Sequence, residues 1–306
     1  MVNVTIDLCR HLSSRPISMR ILEHLSHAQQ GLLFLQATIR HDAQYQPRFT
    51  EQFQVSQALR SLPRLGTCDI TFLRLDRFHE FIHCLLAGPF AFRSNLKCLR
   101  IHVSNPETFS QVFKKEVLET QCSPLNLNRL TLDGFNMQDL FRPVSQFTYV
   151  QSLTHLTLWN CRQTQSFFSQ LTDTFLESPR LIDLQHLTTN FDHVNQINID
   201  KSLESVFKIC ELRSVHLTWD YPQGSPITTL AAMPLLAKSL RSLSFHQRSH
   251  IHIAEEELPY LGEGLKAVIE PCHNLLQLGI QVNEYSIIPQ IWDAPVMRDH
   301  IEFWVR

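Results

Sequence analysis

The chain has 306 residues, 43% of them hydrophobic, and its 27 basic side chains are nearly balanced by 29 acidic ones, for a formal net charge of −2. That hydrophobic content is ample for a large core, while the charge balance argues against a general nucleic-acid or membrane-surface binder, each of which needs a strong basic excess. No charged-then-apolar leader and no apolar run near 18 residues is present, which predicts a soluble intracellular protein of the cytoplasm or nucleus.

In chain order, Val2, Val4, Ile6 and Leu8 alternate strictly and read as a strand. Ile17, Ile21 and Leu25 then recur at helical spacing. Leu32/Leu35/Ala37 and Leu65/Cys68/Ile70 open a phrase of the form leucine-x-x-leucine-x-leucine. It returns at Leu96/Leu99/Ile101, Leu127/Leu130/Leu132 and Leu153/Leu156/Leu158. A weaker copy is placed at Leu181/Leu184, with His186 where a third apolar residue is expected. Three more follow: Leu212/Val215/Leu217, Leu240/Leu243/Phe245 and Leu275/Leu278/Ile280. Between copies the period changes from 2 to about 3.6, as in Phe109, Val112, Phe113 and Val117, in Phe168, Leu171 and Phe175, in Leu203, Val206 and Phe207, and in Leu261, Leu265 and Val268. Counting from Met1, the copies recur every 30 residues or so, near the upper end of leucine-rich repeat lengths.

Each unit has a physical reading. Alternate strand side chains face opposite ways, so the fourth and sixth positions point into a core, and the third, fifth and seventh point outward. A strand followed by a helix, repeated, gives a parallel sheet with helices outside it. No unit buries its apolar face alone, so the units stack. The expectation is an α/β solenoid spanning 1–306 as one domain of about ten units. Residues 287–306 break the rhythm at Pro289, Trp292, Pro295 and Trp304 and are expected to cap it.

These copies resemble the leucine-rich repeat family in the long-repeat form of F-box-associated proteins, and particularly degenerate fungal ones. The resemblance covers nearly the whole chain. It implies a horseshoe with the parallel sheet on its concave face and helices on its convex face. It also implies a non-catalytic protein-interaction role, with substrate recognition for a ubiquitin ligase among the possible uses. Two departures stand out. The family prefers Asn or Cys at the ninth position; Cys9, Cys161 and Asn283 comply, whereas Asn105, Asn136 and Asn190 fall one place later. No F-box-like helical leader precedes the repeats, and Met1 opens almost directly into a strand. The expectation from that start is the repeat part of a longer product or an ancestrally truncated copy; the start and the degenerate turns are also compatible with a decayed copy that has no selected partner.

The outward positions richest in chemistry are Arg100, His102, Arg129, Asp133, His155 and Trp159, joined by His216 and His246. Aromatic side chains with arginine make the composition of an interface hot spot. These eight are the candidate partner-binding residues, for a protein partner of unknown identity. Asp183 and Thr218 are also placed on this face, and Trp219 is expected to be buried at a strand end.

One enzymatic alternative exists. His79-Glu80-Phe81-Ile82-His83 matches H-E-x-x-H, in which two histidines one helical turn apart bind zinc and the glutamate activates water. The surrounding pattern argues against it. Phe78, Phe81, Ile82 and Leu85 are spaced as the buried face, leaving His79 and His83 on the solvated side. A third ligand would have to come from a distant residue such as Glu107 or Glu116. No phosphate-binding glycine loop or nucleophile elbow is present, and no cofactor or metal is expected. The eight cysteines form no C-x-x-C pair and read as reduced, mostly buried thiols.

Overall fold

The computed structural model describes residues 3–7, 34–39, 66–72, 75–87, 90–120, 123–175, 182–191, 206–207, 209–219, 239–247, 272–281 and 302–305. The helices expected around Ile17 and Leu261, the ninth-position residues Cys9 and Asn283, and most of the cap 287–306 lie outside these residues. The chain divides into two compact units, Met1–Leu153 and Thr154–Arg306.

The first unit carries β1 (Asn3–Asp7), β2 (Phe34–Ile39), β3 (Thr67–Phe72), β4 (Cys98–Val103) and β5 (Arg129–Asp133), each parallel to the next. Helices α1 (Leu75–Ala87), α2 (Phe90–Asn95) and α3 (Pro106–Glu119) lie between its strands, and α4 (Phe141–Phe147) follows β5. The second unit carries β6 (His155–Trp159), α5 (Thr164–Phe175), β7 (His186–Phe191), β8 (Ser214–Trp219), β9 (Ser242–Gln247), β10 (Gln277–Gln281) and β11 (Glu302–Val305). Its strands are likewise parallel, in sequence order. The molecule is therefore α/β with parallel strands. Within the expected cap, Glu302–Val305 adds a further strand, pairing Phe303 with Leu278 and Val305 with Ile280.

The alternation predicted for the strands is realised in β4, β5 and β6. In β4, Leu99 and Ile101 are buried between exposed or half-buried neighbours, and β5 and β6 repeat the pattern. A backbone device recurs with it. The carbonyl of the residue at the second position accepts N–H bonds from the second and third positions of the next repeat. Gly66 accepts from Lys97 and Cys98, Lys97 from Asn128 and Arg129, Gln185 from Arg213 and Ser214, and Arg213 from Arg241 and Ser242.

The same device corrects one register. Thr154 accepts from Gln185 and His186, so the seventh copy starts at Leu184, not at Leu181. Strand pairing agrees, setting His186 beside His155, Leu187 beside Leu156 and Thr189 beside Leu158. Leu181, Leu184 and Leu187 recur every three residues, so the leucines alone fit two frames. Only Thr189, fully buried at the sixth position, takes the core place that His186 could not. Asp183 consequently precedes the strand and leaves the outward set. Asn190 moves to a seventh position.

Phenylalanine fills the first unit's core. Phe72 packs on Phe78 and Phe81, with ring centroids 5.3 and 5.1 Å apart. Phe78 meets Phe109 at 5.1 Å, and Phe113 meets Phe135 and Phe147 at 6.0 and 5.2 Å. Most of these contacts are edge-on, the arrangement that the ring quadrupole favours. Phe78, Phe81, Ile82 and Leu85 are all fully buried, as their spacing predicts. Helix α3 starts at an Asn105 cap, whose side chain accepts from the Thr108 N–H at 3.2 Å, with Pro106 opening its first turn. Gly134, at φ +80°, turns the chain out of β5 where a Cβ would clash with the Val103 carbonyl oxygen.

Candidate functional site

In the first unit, β3, β4 and β5 present their odd-numbered frame positions as a three-by-three grid. Register aligns Thr67, Cys98 and Arg129; then Asp69, Arg100 and Thr131; and Thr71 and His102, with Asp133 beside His102. The strands thereby bring Arg100, His102 and Asp133 together. They add Asp69, which pairs with Arg100 at the fifth position of its repeat.

His102 is the centre of the cluster. Its Nδ1 lies 2.7 Å from Asp133 Oδ2 and its Nε2 lies 3.1 Å from Asp69 Oδ1. Asp69 Oδ2 accepts from Arg100 at 3.2 Å. An imidazole with carboxylates at both nitrogens donates twice, which requires its charged form. The hydrogen bond to Asp133, and after it that to Asp69, push the His102 pKa up to about 9, against the opposing pull of partial burial. Asp69 is buried beneath Arg100 and His102. Arg129 stands exposed at the edge of the grid and makes no ion pair among the described residues.

In the second unit, the outward face is aromatic. His155 and His186, partners across β6 and β7, stack with centroids 3.9 Å apart and planes within 10°. Trp159 and His216 stack at 5.8 Å and 26°. His216 Nδ1 is also hydrogen-bonded to Ser244 Oγ. His186, read only as a failed apolar position, is therefore an outward residue that sequence reasoning missed. The signal for it was the bonding frame, which leucine spacing does not carry. His246 lies in β9, paired with Thr218; its side chain, like that of Trp219, is outside the described residues. Thr218, expected to point outward, is fully buried.

Asn190 is buried and locked. Its Oδ1 accepts from the Cys161 N–H at 3.0 Å and its Nδ2 donates to the Cys161 carbonyl at 2.8 Å. Its own carbonyl accepts from Thr164 Oγ1 at 2.9 Å. An asparagine thus ties the turn before α5 to the end of β7, from the seventh position of the corrected frame.

The H-E-x-x-H histidines stand on the exposed side of α1. Glu116 of α3 does approach, with its Oε1 3.0 Å from His79 Nε2. His83 does not complete a triad with them, since among the described residues no three His, Cys, Asp or Glu side chains converge to hold a metal ion. The contact joins two neighbouring helices. Cys68, Cys84, Cys161, Cys210 and Cys272 are buried thiols, and Cys98 is a half-buried one. Burial pushes the Cys210 thiol up to about 12, and raises Cys68 and Cys98 as well, so none of these three is poised as a nucleophile. Among the described residues no helix is long and apolar enough to cross a membrane. No model of a known family matches the chain, and no curated protein matches it significantly.

Proposed function

We propose that the chain is a leucine-rich repeat solenoid of horseshoe form, acting as a non-catalytic scaffold that binds a protein partner on its concave face. The observation that carries this reading is the in-register parallel pairing within each unit, which aligns the third and fifth positions of the repeat strand after strand. Repetition of that kind produces an extended recognition surface. The polar grid gives the first unit's strand face arginine, and the ring stacks give the second unit's strand face aromatic groups, the types enriched at interface hot spots. The resemblance to F-box-associated repeats extends the proposal to substrate recognition for a ubiquitin ligase.

The test is site-specific photo-crosslinking in the native cell type. The crosslinker is placed at Thr131 in one variant, at Thr157 in a second, and at exposed Lys115 on α3 in a third. A protein captured from the strand positions but not from Lys115, and lost on Arg129→Ala or Trp159→Ala, supports the role. Equal capture from all three positions, or none, removes it. The ubiquitin-ligase extension is checked by the captured protein's half-life, which lengthens on depletion of this chain if the extension holds.

A further inference from the structure

The grid of β3, β4 and β5 sorts its charges by depth. The carboxylates lie low, with side chains 9% exposed at Asp69 and 19% at Asp133. The bases stand higher, at 28% for His102 and 50% for Arg100. Both acids are engaged from within the grid, Asp69 by Arg100 and His102 and Asp133 by His102. Three cations therefore face two carboxylates, and Arg129 is the surplus charge, exposed and without an ion pair among the described residues. A ligand approaching this face meets guanidinium groups first.

We infer that this face takes an acidic peptide segment of the partner, with Arg100 and Arg129 receiving carboxylates of alternate residues. The inference rests on the protein-binding role proposed above and names the partner's chemistry. Spacing favours an extended peptide. Arg100 and Arg129 sit two positions out of step on neighbouring strands, so their backbones are separated by roughly 8 Å, from strands about 4.8 Å apart and a rise of about 3.3 Å per residue. Same-side residues of an extended peptide recur about every 7 Å, within the adjustment of two long side chains. Guanidinium groups suit the task because they bind carboxylates through two parallel hydrogen bonds. The Asp69–His102–Asp133 bridge keeps the face's own acids engaged below the arginines.

The experiment is fluorescence anisotropy on the full chain with a fluorescein-labelled Glu-Gly repeat peptide, against the same peptide with Gln for Glu. The Glu peptide is expected to bind about tenfold or more tightly, and to weaken as salt is raised. Arg129→Glu should weaken it by about tenfold, whereas Lys115→Glu, an identical charge change on exposed α3, should leave it within about twofold. Arg129→Lys should retain an intermediate affinity, and thermal melts establish that each variant is folded. Equal binding of the Glu and Gln peptides, binding of neither, or equal weakening by Arg129→Glu and Lys115→Glu overturns the inference. If crosslinking from Thr131 still captures a partner in that event, the binding role stands and only the acidic chemistry is lost; if capture fails too, both fall.

Discussion

His102 on β4 holds its Nδ1 2.7 Å from the Oδ2 of Asp133 on β5, the shortest link in a chain of charge that crosses three strands. With its Nε2 on Asp69 of β3, one imidazole joins strands that are 31 and 33 residues away along the chain. The contribution is electrostatic, and it depends on the ring being charged.

That dependence has a sign. The His102 pKa is raised from 6.5 to about 9, chiefly by its hydrogen bonds to Asp133 and Asp69. Its stabilisation is complete below about pH 6.5 and is lost as pH rises through about 9. The bridge is worth at most about 3 kcal/mol, less what solvent screening removes. Denaturant melts of the wild type and His102→Gln should differ most near pH 6 and converge by about pH 10. A constant difference across that window would mean that the ring is not held as imidazolium.

Asn190 both donates to and accepts from the Cys161 backbone. Its replacement leaves a buried N–H and a buried carbonyl without those partners. Asn190→Ala should cost about 2–3 kcal/mol in chemical denaturation. Asn190→Asp should be no better, because it loses the donor and buries a charge. If Asp substitutes at no cost, the reciprocal pair is not what secures this turn.

The phenylalanine core supplies a contrast within one helix. Phe78 is fully buried against Phe72 and Phe109, whereas Leu75, one turn earlier on α1, is 36% exposed. Phe78→Ala should destabilise by about 3–5 kcal/mol, and Leu75→Ala by about 0.5 kcal/mol or less. Comparable losses from both would show that α1 does not pack in the orientation described.

Metal content tests the enzymatic alternative. With His79 engaged by Glu116 and no third ligand converging among the described residues, purified protein is expected to carry well under one zinc per chain. His83→Ala should leave the metal content unchanged. Stoichiometric zinc that disappears in His83→Ala would return the H-E-x-x-H motif to the centre of the function.

Much of the fold was legible because burial imposes a period. Leu99 and Ile101, Leu130 and Leu132, and Leu156 and Leu158 alternate because a strand turns every second side chain into the core, and all six are buried. Leu181 misled for the same reason, since a leucine every third residue satisfies two frames. Helix α4, with Pro143 inside a seven-residue span, has too few turns to establish a helical period. The strand Glu302–Val305 was hidden among tryptophan and proline that read as a cap.

By itself the sequence determined the α/β strand–helix alternation, the core positions of β3, β4, β5, β6 and β8, and the outward placement of Arg100, His102 and Asp133. Those follow from hydrophobic periodicity, which is local. Only the tertiary structure decided that Asp69 lies beneath Arg100 and His102, that His186 stacks on His155, and that Asn190 reaches back to Cys161. Each of these joins residues about 30 positions apart, and their meeting depends on strand register, set by hydrogen bonds between neighbouring repeats that no single repeat's side-chain pattern records.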